Sequence, residues 1–145
     1  MTDCVIFGLD GVLANNQRRR HLIEKDHPDW RAFYDQGRIE EDFSYSKMIQ
    51  LCRQLSEFNK VVIVTERPIT VSEVTRRWLK ERGVSYEAVI TRQDRKHDCV
   101  AEYKIEMIRG LQREGCKPWL LVDCDPQVIR MAQSDVGVQG MLVRF

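Results

Sequence analysis

The stretch VIFGLDGVLANN, Val5 to Asn16, decides the fold. A short run of apolar and β-branched residues leads straight into Asp10-Gly11, the pattern of a strand that stops at a tight turn. Phosphate-handling sites often begin this way. Gly8 stands two residues before Asp10, where such a site would place a second carboxylate.

Working outward, four more apolar runs resemble the first: Lys60–Thr65, Ala88–Thr91, Trp119–Asp123 and Val138–Val143, with Cys4–Leu9 as the opening one. Segments of helical length and period separate them. Tyr45, Met48, Cys52 and Leu55 form one stripe, and Val71, Val74 and Trp78 form another. Strands that are continuously apolar belong to a sheet covered on both faces. Alternation of such strands with helices predicts an α/β fold, a Rossmann-like doubly wound parallel sheet. Residues 11–43 break the rhythm, being polar, spotted with aromatics and weakly periodic. They read as a small helical insertion after the first strand, one or two short helices, for instance around Asp29–Gln36, that turn Trp30, Phe33 and Tyr34 inward and pack over the site. A lid over the site and an ordinary surface excursion remain equal readings of it.

Composition bounds the rest. A chain of 145 residues with 43% hydrophobic and 31% charged residues is expected to form a single domain over 1–145. A net charge of +1 provides no global attraction to nucleic acid or membrane, so any such binding needs a local patch. No apolar run approaches the roughly 20 residues that cross a bilayer, and no signal peptide is visible. Five cysteines, an odd count without a C-x-x-C pair, suit reduced thiols and a cytoplasmic location.

Ligands of open α/β sheets gather at the carboxyl ends of the strands. In this chain those ends read Leu9-Asp10-Gly11, Thr65-Glu66-Arg67, Thr91-Arg92 and Asp123-Cys124-Asp125. Asp10, Asp123 and Asp125 could together hold Mg²⁺, which favours oxygen ligands. Asp125 before Pro126 equally suits a helix N-cap. Thr65 could donate its hydroxyl to a phosphate oxygen, with Arg67 adding charge. In CVAEYKIEMIRGL, Lys104 falls on the stripe of Val100, Met107, Ile108 and Leu111, so its ammonium must snorkel or meet a partner. Arg18-Arg19-Arg20 is a basic run that reads as a solvated face or as a set of phosphate forks. Cys124 to Arg130 has the C-x5-R spacing of cysteine-dependent phosphatases. The residues between them, however, include a proline and no glycine, which makes a poor cradle of backbone N–H groups.

VIFGLDGVL, VVIVTERP, Lys104 and LLVDCDP resemble, in order and across nearly the whole chain, motifs I to IV of the haloacid-dehalogenase (HAD) superfamily. NNQRRRHLI, DWRAFYD, the stretch from Arg92 to Lys104 and VQGMLVRF are similar to the phosphatase domain of phage-type polynucleotide kinases. Such domains use Mg²⁺ to remove phosphate from the 3′ end of nucleic acid. The resemblance implies that Asp10 matches the general acid and base, Thr65 the phosphate-binding hydroxyl, Lys104 the motif III lysine and Asp123 a metal ligand. Arg18, Arg19, Arg20, Arg67 and Arg92, by their chemistry, are the candidates for substrate binding. Gly8 takes the place of the nucleophilic aspartate, Cys124 that of a second motif IV acid, and Glu66 that of a glycine. Glycine can neither attack phosphorus nor ligate a metal.

The resemblance therefore implies a Mg²⁺ site that is weakened or lost. It also implies a catalytically impaired pseudophosphatase that binds a phosphorylated nucleic-acid end, a nucleotide or a protein partner, and no membrane. The alternative is an active Mg²⁺-dependent phosphomonoesterase in which water or another carboxylate replaces the nucleophile.

Overall fold

The computed structural model describes residues 2–93 and 99–145. Residues 94–98, inside the Arg92-to-Lys104 stretch that carries part of the resemblance, lie outside the described residues. The chain runs β1 (Thr2–Phe7), β2 (Ala14–Asn15), α1 (Gln17–Arg20), α2 (Trp30–Phe33), α3 (Gln36–Glu40), β3 (Phe43–Ser44), α4 (Ser46–Leu55) and β4 (Lys60–Pro68). After a 3-10 turn at Ile69–Val71 follow α5 (Ser72–Glu81), β5 (Ala88–Arg92), α6 (Val100–Arg113), β6 (Cys116–Asp123), α7 (Pro126–Val136) and β7 (Gln139–Leu142).

Five strands form one sheet in the order β5-β4-β1-β6-β7, and every pairing in it is parallel. Because successive side chains of a strand point to opposite faces, β1 feeds two cores. Val5 and Phe7 pack with Ile49, Cys52, Trp78 and Leu79 beneath α4 and α5. Cys4 and Ile6 pack with Ala101, Ile105, Val128 and Ala132 beneath α6 and α7. Two covered faces explain why the strands are continuously apolar, as expected of a doubly wound α/β sheet. Among the described residues no helix is long and apolar enough to cross a membrane.

The chain winds outward from β1 through β4 to β5, then returns to lay β6 on the other side of β1. Strand order thus reverses between β1 and β6, the place where α/β sheets bind ligands. Phe7 pairs with Val122 there, and Gly8 N–H donates to Val122 O at 2.8 Å.

Several local expectations change. β1 ends at Phe7 rather than Leu9, because Leu9 O turns to accept from the N–H groups of Leu13 and Ala14, both at 2.9 Å. β4 continues past Thr65 to Pro68. Of the one or two short helices expected around Asp29–Gln36 there are two, each begun by its own aspartate. Asp29 accepts from Ala32 N–H and Asp35 from Arg38 N–H. Of the three aromatics expected inward, Phe33 is buried, Tyr34 is half-buried, and Trp30 is exposed toward a cleft. On the α6 stripe, Ala101, Tyr103 and Ile105 are buried alongside Lys104 and Ile108, while Val100, Met107 and Leu111 are half-buried.

The insertion is closed at its base by β2 and β3, which pair antiparallel with Ala14 opposite Ser44. Trp78 Nε1 donates to Asp42 O at 3.0 Å, and Ile39 packs on Val71 and Val74, fastening the insertion to α5.

At the sheet's far side, α7 begins with Asp125 accepting from Gln127 N–H at 2.9 Å and Pro126 in its first turn. Gly137, at φ 69°, ends it in the left-handed region. Asp125→Ala is expected to lower stability by about 1 kcal/mol, read by urea denaturation, because it removes an N-cap. No change would mean that the cap bond does not persist in solution.

Candidate functional site at the carboxyl edge of the sheet

Asp10 reaches the sheet edge as expected, but it meets arginines. Arg67 Nη2 donates to Asp10 Oδ1 at 2.7 Å and Arg67 Nε to Oδ2 at 2.9 Å, while Arg19 Nη2 adds a bond to Oδ1 at 3.0 Å. Both arginines also hold Asp42: Arg19 Nη2 donates to Asp42 Oδ2 at 2.8 Å and Arg67 Nη2 at 3.4 Å. Arg67 Nη1 ends on Thr75 Oγ1 at 3.0 Å, and Arg19 Nη1 on Phe33 O at 3.0 Å. Two cations and two anions are thereby sealed together, all four side chains being at most 5% exposed. Burial by itself would raise the Asp10 carboxyl. The charge and hydrogen bonds of Arg67, then the charge of Arg19, outweigh it and hold Asp10 below the usual carboxylate range. A general acid needs the opposite, a carboxyl that keeps its proton near neutrality.

A second charged cluster forms the floor. Lys104 Nζ donates to Asp123 Oδ2 at 2.8 Å and lies 3.4 Å from Glu66 Oε2. Burial disfavours the ammonium, but Glu66 and Asp123 reverse this and hold Lys104 above the usual lysine range. Asp123 Oδ1 accepts from Asp125 N–H at 3.0 Å. The Asp123 carboxylate lies against Gly8, so that a Cβ added at Gly8 would stand 2.8 Å from Asp123 Oδ2 and 3.3 Å from Val12 Cγ2. Thr65 is fully buried beside this floor, its Oγ1 accepting from Arg67 N–H at 3.2 Å.

The chemistry of the donors decides whether Asp10, Asp123 and Asp125 suit Mg²⁺, the ion that HAD proteins generally use. Mg²⁺ requires free oxygens in near-octahedral array. Asp10 gives both oxygens to guanidinium groups, Asp123 gives Oδ2 to Lys104, and Asp125 turns away to cap α7. Among the described residues, no three histidine, cysteine, aspartate or glutamate side chains converge as a metal site would need. As arranged, the residues do not fit a resident Mg²⁺. The C-x5-R spacing fails too. Burial, ahead of the nearby Asp123 charge, raises the Cys124 thiol to about 11, and Arg130 is exposed along α7.

Above this floor opens a cleft of about 1150 Å³. Of the arginines proposed for substrate, Arg20 and Arg92 line it. Arg19 and Arg67 are sealed in the charge network, and Arg18 leans on the Phe43 ring, 5.2 Å from its centroid. Arg92 lies over the Tyr103 ring at 5.4 Å, and its Nε and Nη2 are buried with no hydrogen-bond partner among the described residues.

Of the aromatic walls, sequence reasoning singled out Trp30 and Tyr34 in the insertion but missed the pairing of Tyr45 with Phe145. Tyr45 and Phe145 stack with centroids 3.7 Å apart and planes 4° from parallel. Trp30 and Tyr34 stack at 6.0 Å and 18°. Arg31 and Arg144 also line the cleft. It also missed Asp42, an unremarked member of the acidic run Glu40-Glu41-Asp42 that carries half of the negative charge in the buried network. No local signal marks it, since its partners lie 23 and 25 residues away.

Residues 2–144 match the family described as the polynucleotide kinase PNKP phosphatase domain. Among solved structures, one of a Pnkp1/Rnl/Hen1 complex is similar at 18% identity and a TM-score of 0.79, covering 100% of this chain and 47% of that one. A haloacid dehalogenase-like family hydrolase, SP0104 from Streptococcus pneumoniae, is similar at 13% identity and a TM-score of 0.70, covering 99% of this chain and 85% of that one. Identities this low speak to the fold alone, and the chain spans less than half of the Pnkp1/Rnl/Hen1 chain it aligns with. Among curated proteins none matches. A parallel sheet with this strand order, a site at its switch point and a family match over almost every residue lead to one statement: the chain belongs to the family of the polynucleotide kinase PNKP phosphatase domain.

Proposed function

We propose that this chain is a hydrolytically impaired phosphatase-family domain that binds a single-stranded nucleic-acid end or a nucleotide in its cleft. The observation that carries the reading is the cleft itself, with stacked aromatic pairs on its walls and Arg20, Arg31, Arg92 and Arg144 around it. Bases stack on aromatic rings whatever their identity, and arginines track the phosphodiester backbone. The reading of impaired hydrolysis rests on the floor. Gly8 has no side chain with which to attack phosphorus, Asp10 is held ionised by Arg67 and Arg19, and Lys104 is neutralised from two sides. Binding of a protein partner is secondary in this reading. The similar Pnkp1 structure is that of a complex with Rnl and Hen1, which supports a place in a larger assembly without naming a partner for this chain.

Fluorescence anisotropy with short single-stranded oligonucleotides tests the binding. Affinity is expected to fall with salt, by a log–log slope of about −0.7 per phosphate neutralised. Trp30→Ala and Phe145→Ala are each expected to weaken binding by about 1–3 kcal/mol. Affinity that ignores both salt and these substitutions would remove the cleft from consideration. Turnover of p-nitrophenyl phosphate or a 3′-phosphorylated oligonucleotide by the unaltered chain with Mg²⁺ would instead favour the active phosphomonoesterase.

A further inference from the structure

The two buried cations at the cleft floor, Arg67 and Lys104, are both already paired with carboxylates of the protein. The Thr65 hydroxyl is buried against Arg67 N–H, and Arg67 is given to Asp10, Asp42 and Thr75. The Lys104 ammonium faces Asp123 on one side and Glu66 on the other. Of this set Asp10 and Glu66 also line the cleft, and Glu66 is the one that contacts Lys104. It follows Thr65 near the carboxyl end of β4 and lines the cleft, so its carboxylate stands on the side from which an incoming anion would approach Lys104. Its Oε2 is shielded from solvent and makes no hydrogen bond among the described residues, so the 3.4 Å ion pair with Lys104 is what compensates it. Counting formal charges, Lys104 with Glu66 and Asp123 leaves the floor at one net negative charge. The network of Asp10, Asp42, Arg19 and Arg67 sums to zero.

We propose that Glu66 is a specificity-determining residue, an internal anion seated on Lys104 that makes the cleft select nucleic-acid ends lacking a terminal phosphate. The inference deepens the nucleic-acid reading above and rests on it for the identity of the ligand. A terminal phosphate at the floor would meet two carboxylates across one shared ammonium, and like charges brought together at a desolvated contact cost several kcal/mol. A strand ending in a hydroxyl brings no such charge. Its bases can lie against the aromatic walls, and its internal phosphodiesters, each carrying one charge, can meet the outer arginines. Arg92, which lines the cleft, is placed to donate to one of them.

The test has two arms that fail separately. In the first, the unaltered chain, Glu66→Gln and Glu114→Gln are titrated with inorganic phosphate at constant ionic strength. Glu114 is an exposed residue just past α6 and controls for net charge. Glu66→Gln is expected to bind phosphate at least about tenfold more tightly than the other two, a difference of about 1.4 kcal/mol. Equal affinity in all three proteins, or an equal gain in Glu114→Gln, overturns the assignment of Glu66. In the second arm the same oligonucleotide is offered with a 3′-hydroxyl or a 3′-phosphate. The unaltered chain is expected to prefer the hydroxyl, and Glu66→Gln to move the ratio about tenfold toward the phosphate. A preference of the unaltered chain for the phosphate, or a ratio that Glu66→Gln leaves unchanged, overturns the proposal. If neither oligonucleotide binds any of the proteins, the nucleic-acid reading and the end selectivity fall together, while the phosphate arm still decides whether Glu66 guards Lys104.

Discussion

Asp10→Asn destabilises the folded chain by about 3–5 kcal/mol, the expected loss when one member of a buried charge cluster is removed. The carboxylate it replaces accepts two bonds from Arg67 and one from Arg19. An amide cannot neutralise two guanidinium groups, and Asp42 alone is left to do so in a space closed to water. Arg67→Met is expected to cost a similar amount, for it strands Asp10 and also removes the partner of Thr75 Oγ1. Chemical denaturation of the three proteins measures both losses. A change below about 1 kcal/mol would mean that Asp10 is free in the cleft, as a working acid would be, because surface substitutions remain within such limits.

The same cluster sets an acid limb. The folded carboxyl of Asp10 lies below its ordinary value. Between the folded and unfolded pKa values the unfolded chain therefore binds more protons, and stability rises with pH there. The contribution of Asp10 is fully present above the ordinary carboxylate value and is lost as pH falls through the lowered one. Asp10→Asn should accordingly show a shallower loss of stability below about pH 4 than the unaltered chain. Identical acid limbs would contradict the pairing.

The second large effect concerns Gly8. Gly8→Asp is expected to restore no turnover of p-nitrophenyl phosphate with Mg²⁺ and to lose about 3–5 kcal/mol of stability. The new Cβ would stand 2.8 Å from Asp123 Oδ2, so the Asp123 carboxylate must leave Lys104 or the β1–β6 contact must open. Either way a further carboxylate is buried beside Asp123 and Glu66 with one ammonium between them. Gly8→Ala separates the two contributions, since it carries the steric part alone, about 1–3 kcal/mol. Combining Gly8→Asp with Cys124→Asp adds a potential metal ligand without freeing Asp10 from its arginines, and is expected to remain inactive. Turnover in Gly8→Asp would show that the floor can still rearrange into a catalytic one, and would place the impairment at Gly8 alone rather than in the paired charges around it.

Much of this architecture was legible in the residues themselves. The run from Cys4 into Asp10-Gly11 and its four later counterparts announce a parallel sheet, because strands covered on both faces have no polar side to show. The strand ends then place Asp10, Thr65, Arg92 and Asp123 at one edge. Lys104 on an apolar stripe announces a buried partner, and it has two. What each charged group does at that edge was not legible. Asp10 reads equally well as an acid, a metal ligand or half of an ion pair. The choice is made by Arg19, Asp42 and Arg67, whose side chains meet only after β2 pairs with β3 and the insertion fastens onto α5. Arg19 is buried while Arg18 and Arg20 are exposed, a difference that three identical letters cannot carry.

The sequence by itself determined the sheet and which chemistry reaches its edge, because burial of apolar surface follows a local period that the residue order contains. Tertiary structure alone decided that Asp10 is spent on arginines, that Asp123 lies against Gly8 and that Trp30 faces a cleft. Coulombic and steric contacts depend on through-space distance, which residues far apart along the chain acquire only when the whole sheet edge has closed.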